Sequence, residues 1–423
     1  MQITIAEDSY FENGSFLKDL WESKNPVLVD PKQVEILKTV LSNLEIRNSS
    51  VGSLPDLEQE KKSEGLRTEL SSTKSILASE DTTLQKTIFP TQFRFSFLSS
   101  GSTKTPTPFL KTEKQIWGEV QVLQSLFPKL YSSELAVVGV PYCYIYGFLF
   151  GYMTQVVRRQ NGFPGIVKAN DLSEIKRTLE KDVAVFVTVP SQLEALVSLG
   201  VKASPQQIFT SGSFLSQQLR KKVVELWGSE IVEVYGSTET GGIAFRVTGL
   251  RTQQSMTPLH DYFQIFPDVS VKTSEENLLE IRSPFLSENL EITDEGFWIS
   301  KDLGAIHENG QLEIFGRVDR VIKRKGKRLS LVQLEEYWQS IWGLEFVVAI
   351  TTPDVDGSLE PFITCVAPSQ NQAEVLNHPI ENFLFAPNGF HFLDSVPRLY
   401  NGKIDLQEVQ KLGKGKPKQF FTK

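Results

Sequence analysis

The sequence predicts an α/β protein: a large N-terminal α/β domain with a mostly parallel sheet, a short-stranded β subdomain, and a small C-terminal α+β domain on a hinge. Three observations carry this expectation. Between 93 and about 245, apolar strand-like runs alternate with amphipathic helical stretches. From 260 to 315 the pattern changes to short strands and turns. Beyond the basic stretch at 316–330, helices and strands mix again over a length that suits a small domain.

Taken in order, residues 1–48 read as mixed helix and strand. Residues 49–86, rich in Ser, Glu, Lys and Thr, read as an exposed connecting stretch. In "FRFSF", Phe93, Phe95 and Phe97 alternate with polar residues at the period of a strand. A loop, "SSGSTKTPTP" at 99–108, leads into a helix expected over 112–127. Thr112 and Gln115 stand at capping-box spacing there, and Trp117, Val120, Leu123 and Phe127 recur at helical spacing. Further strands are expected at 135–141, 183–190 and 231–236, with helices at 145–157, 173–181, 191–200 and 214–227. "LLEIRSP", "GFWIS" and "DLGAIHENGQLEIFG" supply short strands, and Asn309-Gly310 reads as a hairpin turn. A helix at 331–341 follows, then strands at 345–351 and 361–367, a helix near 379–386, a strand at 389–396 and a last helix at 405–412.

Composition narrows the functional classes. The 423 residues give ample core for two or three domains. A net charge of −7 argues against a broad nucleic-acid surface. Two cysteines, Cys143 and Cys365, make neither a disulfide framework nor a zinc site. The opening "MQITIAEDSYFENG" is acidic and lacks the apolar core of a signal peptide. The most apolar run, 142–153, is too short to span a bilayer and is broken by two glycines, so no stable membrane insertion is expected. A cytoplasmic enzyme or binding protein is the expectation.

Five stretches carry candidate chemistry. In the 99–108 loop, Ser, Thr and Gly residues between regular elements can wrap backbone N–H groups and hydroxyls around phosphate. Its "STKT" lacks the spacing of a Walker loop, and an ordinary turn capping a helix is the bland alternative. "EVYGSTETGG" (233–242) ends a buried strand with Tyr235, Gly236, Thr238 and Glu239, where a hydroxyl and a carboxylate suit a phosphate–Mg²⁺ pair. Asp302 in "GFWISKDLGAI" could accept from both hydroxyls of a ribose, although a lone carboxylate there is usually a turn-former. Arg317 and Asp319 lie in the basic run "GRVDRVIKRKGKRLS", a type of stretch that is most often a solvated face. Lys403 sits on the glycine turn of "PRLYNGKID", where single lysines are usually mere surface.

In this order and spacing, the five stretches resemble the motifs of the adenylate-forming superfamily of acyl- and aryl-CoA synthetases, peptide-synthetase adenylation domains and luciferases. The resemblance covers roughly residues 93–412, with "VPSQLEAL", "TSGSFLS" and "LLEIRSP" as further echoes. "FLSSGSTKTPTPFLK" with "VPYCYIYGFLFG" looks most like the short aryl- or acyl-activating enzymes of aryl-polyene-type clusters.

The resemblance implies ATP-dependent activation of a small-molecule carboxylic acid as an acyl-adenylate, followed by transfer to a thiol. That thiol belongs to coenzyme A or to the phosphopantetheine of an acyl carrier protein. It further implies an adenylation domain at 1–317, with a shortened first subdomain, and a mobile C-terminal domain at 318–423 hinged at Asp319. Ser99, Gly101, Ser102, Thr103 and Lys104 would face the phosphates, with Ser102 and Thr103 on the β- and γ-phosphates. Glu239 would hold Mg²⁺, Thr238 would contact the α-phosphate, and Tyr235 with Gly236 would border adenine. Asp302 would bind the ribose with help from Arg317. Lys403 would bridge the attacking carboxylate and the α-phosphate, and domain rotation would replace its face with the one bearing Lys323 and Gly326. The acyl pocket is expected around Tyr144, Gly147, Ser211 and Gly212, lined by Tyr142, Tyr146 and Phe148 unless those rings are plain core.

Two positions depart from the superfamily's pattern: Lys104 replaces a loop glycine and Thr107 replaces the loop lysine. In an active enzyme, Lys104 or Lys111 would supply the cation from a displaced position. The alternative is a catalytically impaired nucleotide-binding relative acting as a scaffold. Such a protein would recruit an acidic carrier through Arg320, Lys323, Arg324, Lys325, Lys327 and Arg328.

Overall fold

The structure, a computed structural model, describes residues 3–6, 25–28, 94–98, 107–249, 262–324, 327–344, 346–352, 362–378, 380, 384–398 and 404–413. The chain forms two compact units. One comprises residues 1–187 with 236–242 and 284–290; the other comprises 188–235 with 243–283 and 291–423.

In the first unit, β1 (Ile3–Ala6), β2 (Asn25–Leu28), β3 (Arg94–Leu98) and β4 (Pro108–Thr112) make a four-stranded sheet in that order. β1, β2 and β3 run parallel, and β4 returns antiparallel along β3, pairing Phe95 with Lys111 and Phe97 with Phe109. Phe95 and Phe97 are fully buried as the alternation predicts, with ring centroids 5.2 and 5.4 Å from that of Phe148. One expectation needs correction: the 99–108 loop does not feed a helix directly. The chain first makes β4, because Phe109 and Lys111 fall on one buried face at strand spacing.

The helix α1 (Glu113–Leu126) then starts on the capping box read from the sequence. Thr112 Oγ1 accepts from Gln115 N at 3.1 Å and Gln115 Oε1 accepts from Thr112 N at 2.7 Å. Its buried stripe is Ile116, Glu119, Val120 and Leu123, so Ile116 takes the place expected for Trp117 and a carboxylate enters the apolar face. A short helix, α2 (Pro128–Ser132), follows, and then β5 (Ala136–Val138).

The helix expected at 145–157 is α3 (Ile145–Gly147), a π-helical stretch Phe148–Met153, and α4 (Thr154–Gln160). Thr154 Oγ1 donates to the Leu149 carbonyl five residues back, at 3.0 Å, which satisfies a carbonyl of the widened turn. Gly151 is required there: a Cβ would lie 2.4 Å from the Tyr142 ring. β6 (Val167–Lys168), α5 (Leu172–Leu179) and β7 (Val185–Thr188) complete the unit, with β5 parallel to both β6 and β7.

The second unit opens with α6 (Pro190–Ser198), β8 (Gln207–Thr210) and α7 (Gln217–Trp227). Ser216 caps α7 through its Oγ, and Gly228 ends it at φ 68°. β9 (Glu230–Ser237) runs parallel to β8, as expected for an α/β sheet, and β10 (Gly241–Thr248) pairs antiparallel with β11 (Gln264–Ile265). β12 (Ser270–Thr273), β13 (Leu278–Arg282), β14 (Trp298–Ile306) and β15 (Leu312–Arg317) form an antiparallel meander. Its last hairpin turns on Asn309-Gly310 as the sequence indicates, with Gly310 at φ 78° and Asn309 Oδ1 accepting from Gln311 N at 3.0 Å.

The basic stretch becomes the hairpin β16 (Val321–Arg324) and β17 (Lys327–Ser330). After it come α8 (Leu331–Trp342), β18 (Val348–Thr352), β19 (Phe362–Pro368), α9 (Gln372–Asn377), β20 (Gly389–Leu393) and α10 (Leu406–Gly413). Of the helix expected near 379–386, residues 379 and 381–383 lie outside the described residues; Leu384–Phe385 form a turn, and a short helix stands earlier at 372–377. This turn has a packing cause. Trp338 Nε1 donates to the Phe385 carbonyl at 2.6 Å, and Trp342 Nε1 to His378 at 2.9 Å, so the segment serves as acceptor for two buried indoles. Trp338, Trp342, Leu334, Ile363, Cys365 and Phe390 build a core of their own here.

Two cations of the basic stretch turn inward, against the expectation of a solvated face. Arg320 donates to the Ala349 carbonyl and pairs with Glu335, both side chains being under a fifth exposed. Arg324 donates to the carbonyls of Leu384 and Ala386. Replacing Arg320 by Ala leaves the Glu335 carboxylate shut in without its cation, with the Ala349 N–H still donating to it. A loss of about 3 kcal/mol is expected, read as a lowered denaturation midpoint, because uncompensated buried charges cost several kcal/mol.

Candidate active site

The 233–242 segment is where the sequence placed the most chemistry, and its local folding is explicit. β9 ends at Ser237, residues 238–240 turn, and β10 begins at Gly241. Ser237 N donates to Thr240 Oγ1 at 3.2 Å and Thr240 N to Ser237 Oγ at 3.3 Å, a reciprocal side-chain closure of the turn. Gly236 is demanded by this geometry, since a Cβ would lie 2.4 Å from the Gly241 carbonyl oxygen.

The first unit grips the turn's backbone from several sides. The Glu239 carbonyl accepts from Ser287 N at 2.8 Å and from Lys111 Nζ at 3.0 Å. Ser287 Oγ donates to the Thr238 carbonyl at 3.3 Å, and Gly242 N donates to Glu119 Oε1 at 2.7 Å. The side chains of Thr238 and Glu239 themselves remain half-buried rather than enclosed. Gly241 has φ 71° and no space for a Cβ, which would meet Glu119 Oε2 at 2.5 Å. Gly241→Ala combines a left-handed backbone penalty of about 1–2 kcal/mol with that clash. A clear drop in the thermal midpoint is expected, measured by circular dichroism.

In the second unit, Tyr235, Asp302 and Arg317 come together. Tyr235 Oη donates to Asp302 Oδ2 at 2.6 Å. Arg317 stands opposite Asp302 in the β14–β15 register, with Nη1 3.8 Å from Asp302 Oδ1. Ser300 Oγ accepts from Asp302 N at 3.0 Å, so the carboxylate hangs from a braced backbone. Burial and the neighbouring Asp302 carboxylate hold the Tyr235 phenol well above its usual range, so it stays a protonated donor. Its ring meets Phe263 edge-on at 6.1 Å, and the Arg246 guanidinium covers Phe263 while pairing with buried Glu233. Sequence reading missed Phe263, Arg246 and Glu233; the alternation of Glu233 with Tyr235 along β9 is the signal for the last of them.

The remaining expected site residues fall as follows. Ser99, Gly101, Ser102, Thr103 and Lys104 lie outside the described residues, as do Lys403 and Gly326. The ends of the Lys403 turn are described: Arg398 and Ile404 form an antiparallel bridge, and Asp405 N donates to the Pro397 carbonyl at 2.9 Å. Arg398 also pairs with Glu194 of α6 at 3.3 Å. Asp319 pairs with Arg317, its Oδ1 3.2 Å from Nε, at a short 3₁₀ turn, Val318–Arg320. Lys323 is exposed on β16.

Ser211 Oγ donates to the Val234 carbonyl at 2.8 Å, and Gly212 takes φ 88°. Tyr144 caps α3, and Gly147 leaves no room for a Cβ, which would lie 1.9 Å from the Pro141 carbonyl. Phe148 is a core residue, packed between Phe95, Phe97 and Tyr152, rather than a pocket lining. Lys111 does not supply a phosphate-facing cation: its side chain is 1% exposed and its ammonium donates to the Glu239 and Phe285 carbonyls.

Fold and site together define an adenylate-forming enzyme architecture. Residues 25–281 match the family described as AMP-binding enzyme, and the chain belongs to it. Among solved structures, an E. coli MenE variant with bound OSB-AMS is similar at a TM-score of 0.69 and 17% identity, over 97% of this chain and 86% of that one. ATP-bound MatB from Rhodopseudomonas palustris gives a TM-score of 0.63 at 16% identity, over 76% of this chain and 68% of the other. A probable CoA ligase, CCL9, of Humulus lupulus is 22% identical over 92% of this chain and 78% of its own length. The delta-poly-L-ornithine synthetase of Acinetobacter baumannii is 30% identical over 29% of this chain, a match that spans 10% of its length. Among the described residues no helix is long and apolar enough to cross a membrane.

Proposed function

We propose that the protein uses ATP to activate a carboxylic acid as its acyl-adenylate and passes the acyl group to a thiol. The observation that carries this reading is the Tyr235–Asp302–Arg317 cluster. A phenol held protonated by burial donates to Asp302 Oδ2 on a braced strand, Arg317 Nη1 stands 3.8 Å from Oδ1, and a carboxylate oriented in this way suits the hydroxyls of a ribose. Three and four residues beyond Tyr235 in the chain, Thr238 and Glu239 stand on a turn whose backbone is held by Ser287 and Lys111, and these are the residues proposed for the phosphates.

Mg²⁺ fits the donors at hand. No group of three or more His, Cys, Asp or Glu able to hold a metal occurs among the described residues. Glu239 offers one hard oxygen ligand, which suits an ion that keeps several waters and binds largely through substrate phosphates. When bound, it would neutralise phosphate charge as the α-phosphorus is attacked. The chain's own groups then position and neutralise: Thr238 at the α-phosphate, Arg317 beside the ribose site, Lys403 between attacking carboxylate and α-phosphate. Lys104 is the remaining candidate for the loop cation, because Lys111 is committed to carbonyls.

Residues 1–317 would form the adenylation domain and 318–423 a domain that turns about Asp319, exchanging Lys403 for the Lys323 face. The separate core around Trp338 supports that independence. An aryl or polyenoic acid is the proposed substrate class, with coenzyme A or an acyl carrier protein as acceptor. The inward turn of Arg320 and Arg324 weakens the case for a carrier-steering scaffold, since it removes two of the six cations that reading relied on.

The test is ATP–pyrophosphate exchange across a panel of aryl and fatty acids, followed by thioester formation with each acceptor in turn. Exchange with at least one acid is expected. Tight ATP binding with no exchange for any acid would establish the scaffold reading instead.

A further inference from the structure

We propose that Lys111 and Glu119 are positioning residues: a buried pair of opposite charges that fixes Thr238 and Glu239 where they meet the nucleotide phosphates and Mg²⁺. This inference rests on the adenylation reading above and adds two residues that touch neither substrate. Lys111 lies on β4, and Glu119 lies about two turns into α1. From those two elements they take hold of the turn at 238–240 and of the start of β10 just beyond it. Lys111 Nζ donates to the Glu239 carbonyl at 3.0 Å and to the Phe285 carbonyl. Glu119 Oε1 accepts from Gly242 N at 2.7 Å, and its other oxygen fills the space a Cβ on Gly241 would need. The two side chains are 1% and 2% exposed.

Stability alone gives no reason for the pair. Both positions fall on apolar faces, Lys111 two residues after buried Phe109 and Glu119 three after buried Ile116. Taking two charges out of water costs several kcal/mol each, and well-packed apolar residues in their place are commonly as stable or more so. What apolar residues cannot do is add a second donor to the Glu239 carbonyl beside Ser287 N, or an acceptor for Gly242 N at the start of β10. Burial pushes Glu119 up to about 7 and Lys111 down to about 8, and each opposes the other's shift, with Glu239 adding to the field on Lys111.

The experiment uses the full chain with Lys111→Met, Glu119→Gln and the two combined. Thermal midpoints, binding of a fluorescent ATP analogue with and without Mg²⁺, and KM values for MgATP and for the acid in exchange are measured. The combined variant should keep a midpoint at or above that of the unaltered protein yet bind MgATP about 10- to 100-fold more weakly, the usual cost of losing support behind a metal ligand. Its affinity without Mg²⁺ and its KM for the acid should barely change. A folded combined variant with unaltered MgATP affinity overturns the proposal. Should that variant fail to fold, Lys111→Arg, which keeps the charge but not the ammonium's reach, is judged by the same binding measurement. An unaltered protein that binds MgATP but exchanges with no acid removes the adenylation reading and leaves the binding comparison able to judge the clamp.

Discussion

Lys403→Ala should abolish nearly all ATP–pyrophosphate exchange while sparing the second half-reaction. A fall of about 10²–10³ in exchange is expected, the scale seen when one preorganised group facing developing charge is removed. Two negatively charged reactants, an acid and a triphosphate, must approach within bonding distance, and a single ammonium between them relieves their repulsion where it is greatest. The described residues on either side of this segment are paired by the Arg398–Ile404 bridge and the bond from Asp405 N to the Pro397 carbonyl. Thioester formation from chemically prepared acyl-adenylate should change little, because that step breaks the acyl C–O bond and the O–P bond made with the lysine's help stays intact on the departing AMP. Equal losses in both half-reactions would show that Lys403 acts on folding or domain motion, and unchanged exchange would end the proposed mechanism.

Much of the fold was legible because local chemistry and tertiary structure agree. The capping box at Thr112 and Gln115, the Asn309-Gly310 hairpin and the apolar strands at 183–190 and 231–236 need no distant partner to be recognised. Where long-range partners decide, the reading failed. β4 was hidden because its pattern is only five residues long and includes a lysine on the buried face, intelligible only through the Glu239 and Phe285 carbonyls from far along the chain. The turn at Leu384–Phe385 has the same cause, since its segment is claimed by Trp338 and Trp342.

The site divides in the same way. Tyr235, Thr238, Glu239 and Asp302 announce themselves by motif and spacing, because ligands constrain residue type. Glu119 announces nothing: its pattern is that of a helix face with one wrong letter. A buried ionisable residue on an otherwise apolar face is therefore the sequence signal that was available and unread. Arg320 and Arg324 show the converse, since a run of like charge in sequence can point its members to different sides once a hairpin forms.

Asp302→Ala should raise KM for ATP by about 10²-fold or more, and comparison with Tyr235→Phe shows why. Each hydrogen bond to a charged group contributes about 1.5–3 kcal/mol, and in the proposed function the carboxylate accepts from both ribose hydroxyls. Removing it also leaves the Tyr235 hydroxyl without the acceptor it meets at 2.6 Å. Tyr235→Phe takes away only the donor that orients the carboxylate and keeps the ring edge against Phe263. Its KM for ATP should rise by only about tenfold, near the worth of a single charge-assisted bond. With the 2′- and 3′-deoxy forms of ATP as substrates, the unaltered protein should discriminate strongly, Tyr235→Phe less so, and Asp302→Ala hardly at all. That ordering is specific to a ribose contact. If Asp302→Ala still discriminates against the deoxy nucleotides as the unaltered protein does, Asp302 is a structural partner of Tyr235 and Arg317, and the ribose must be sought elsewhere on the chain.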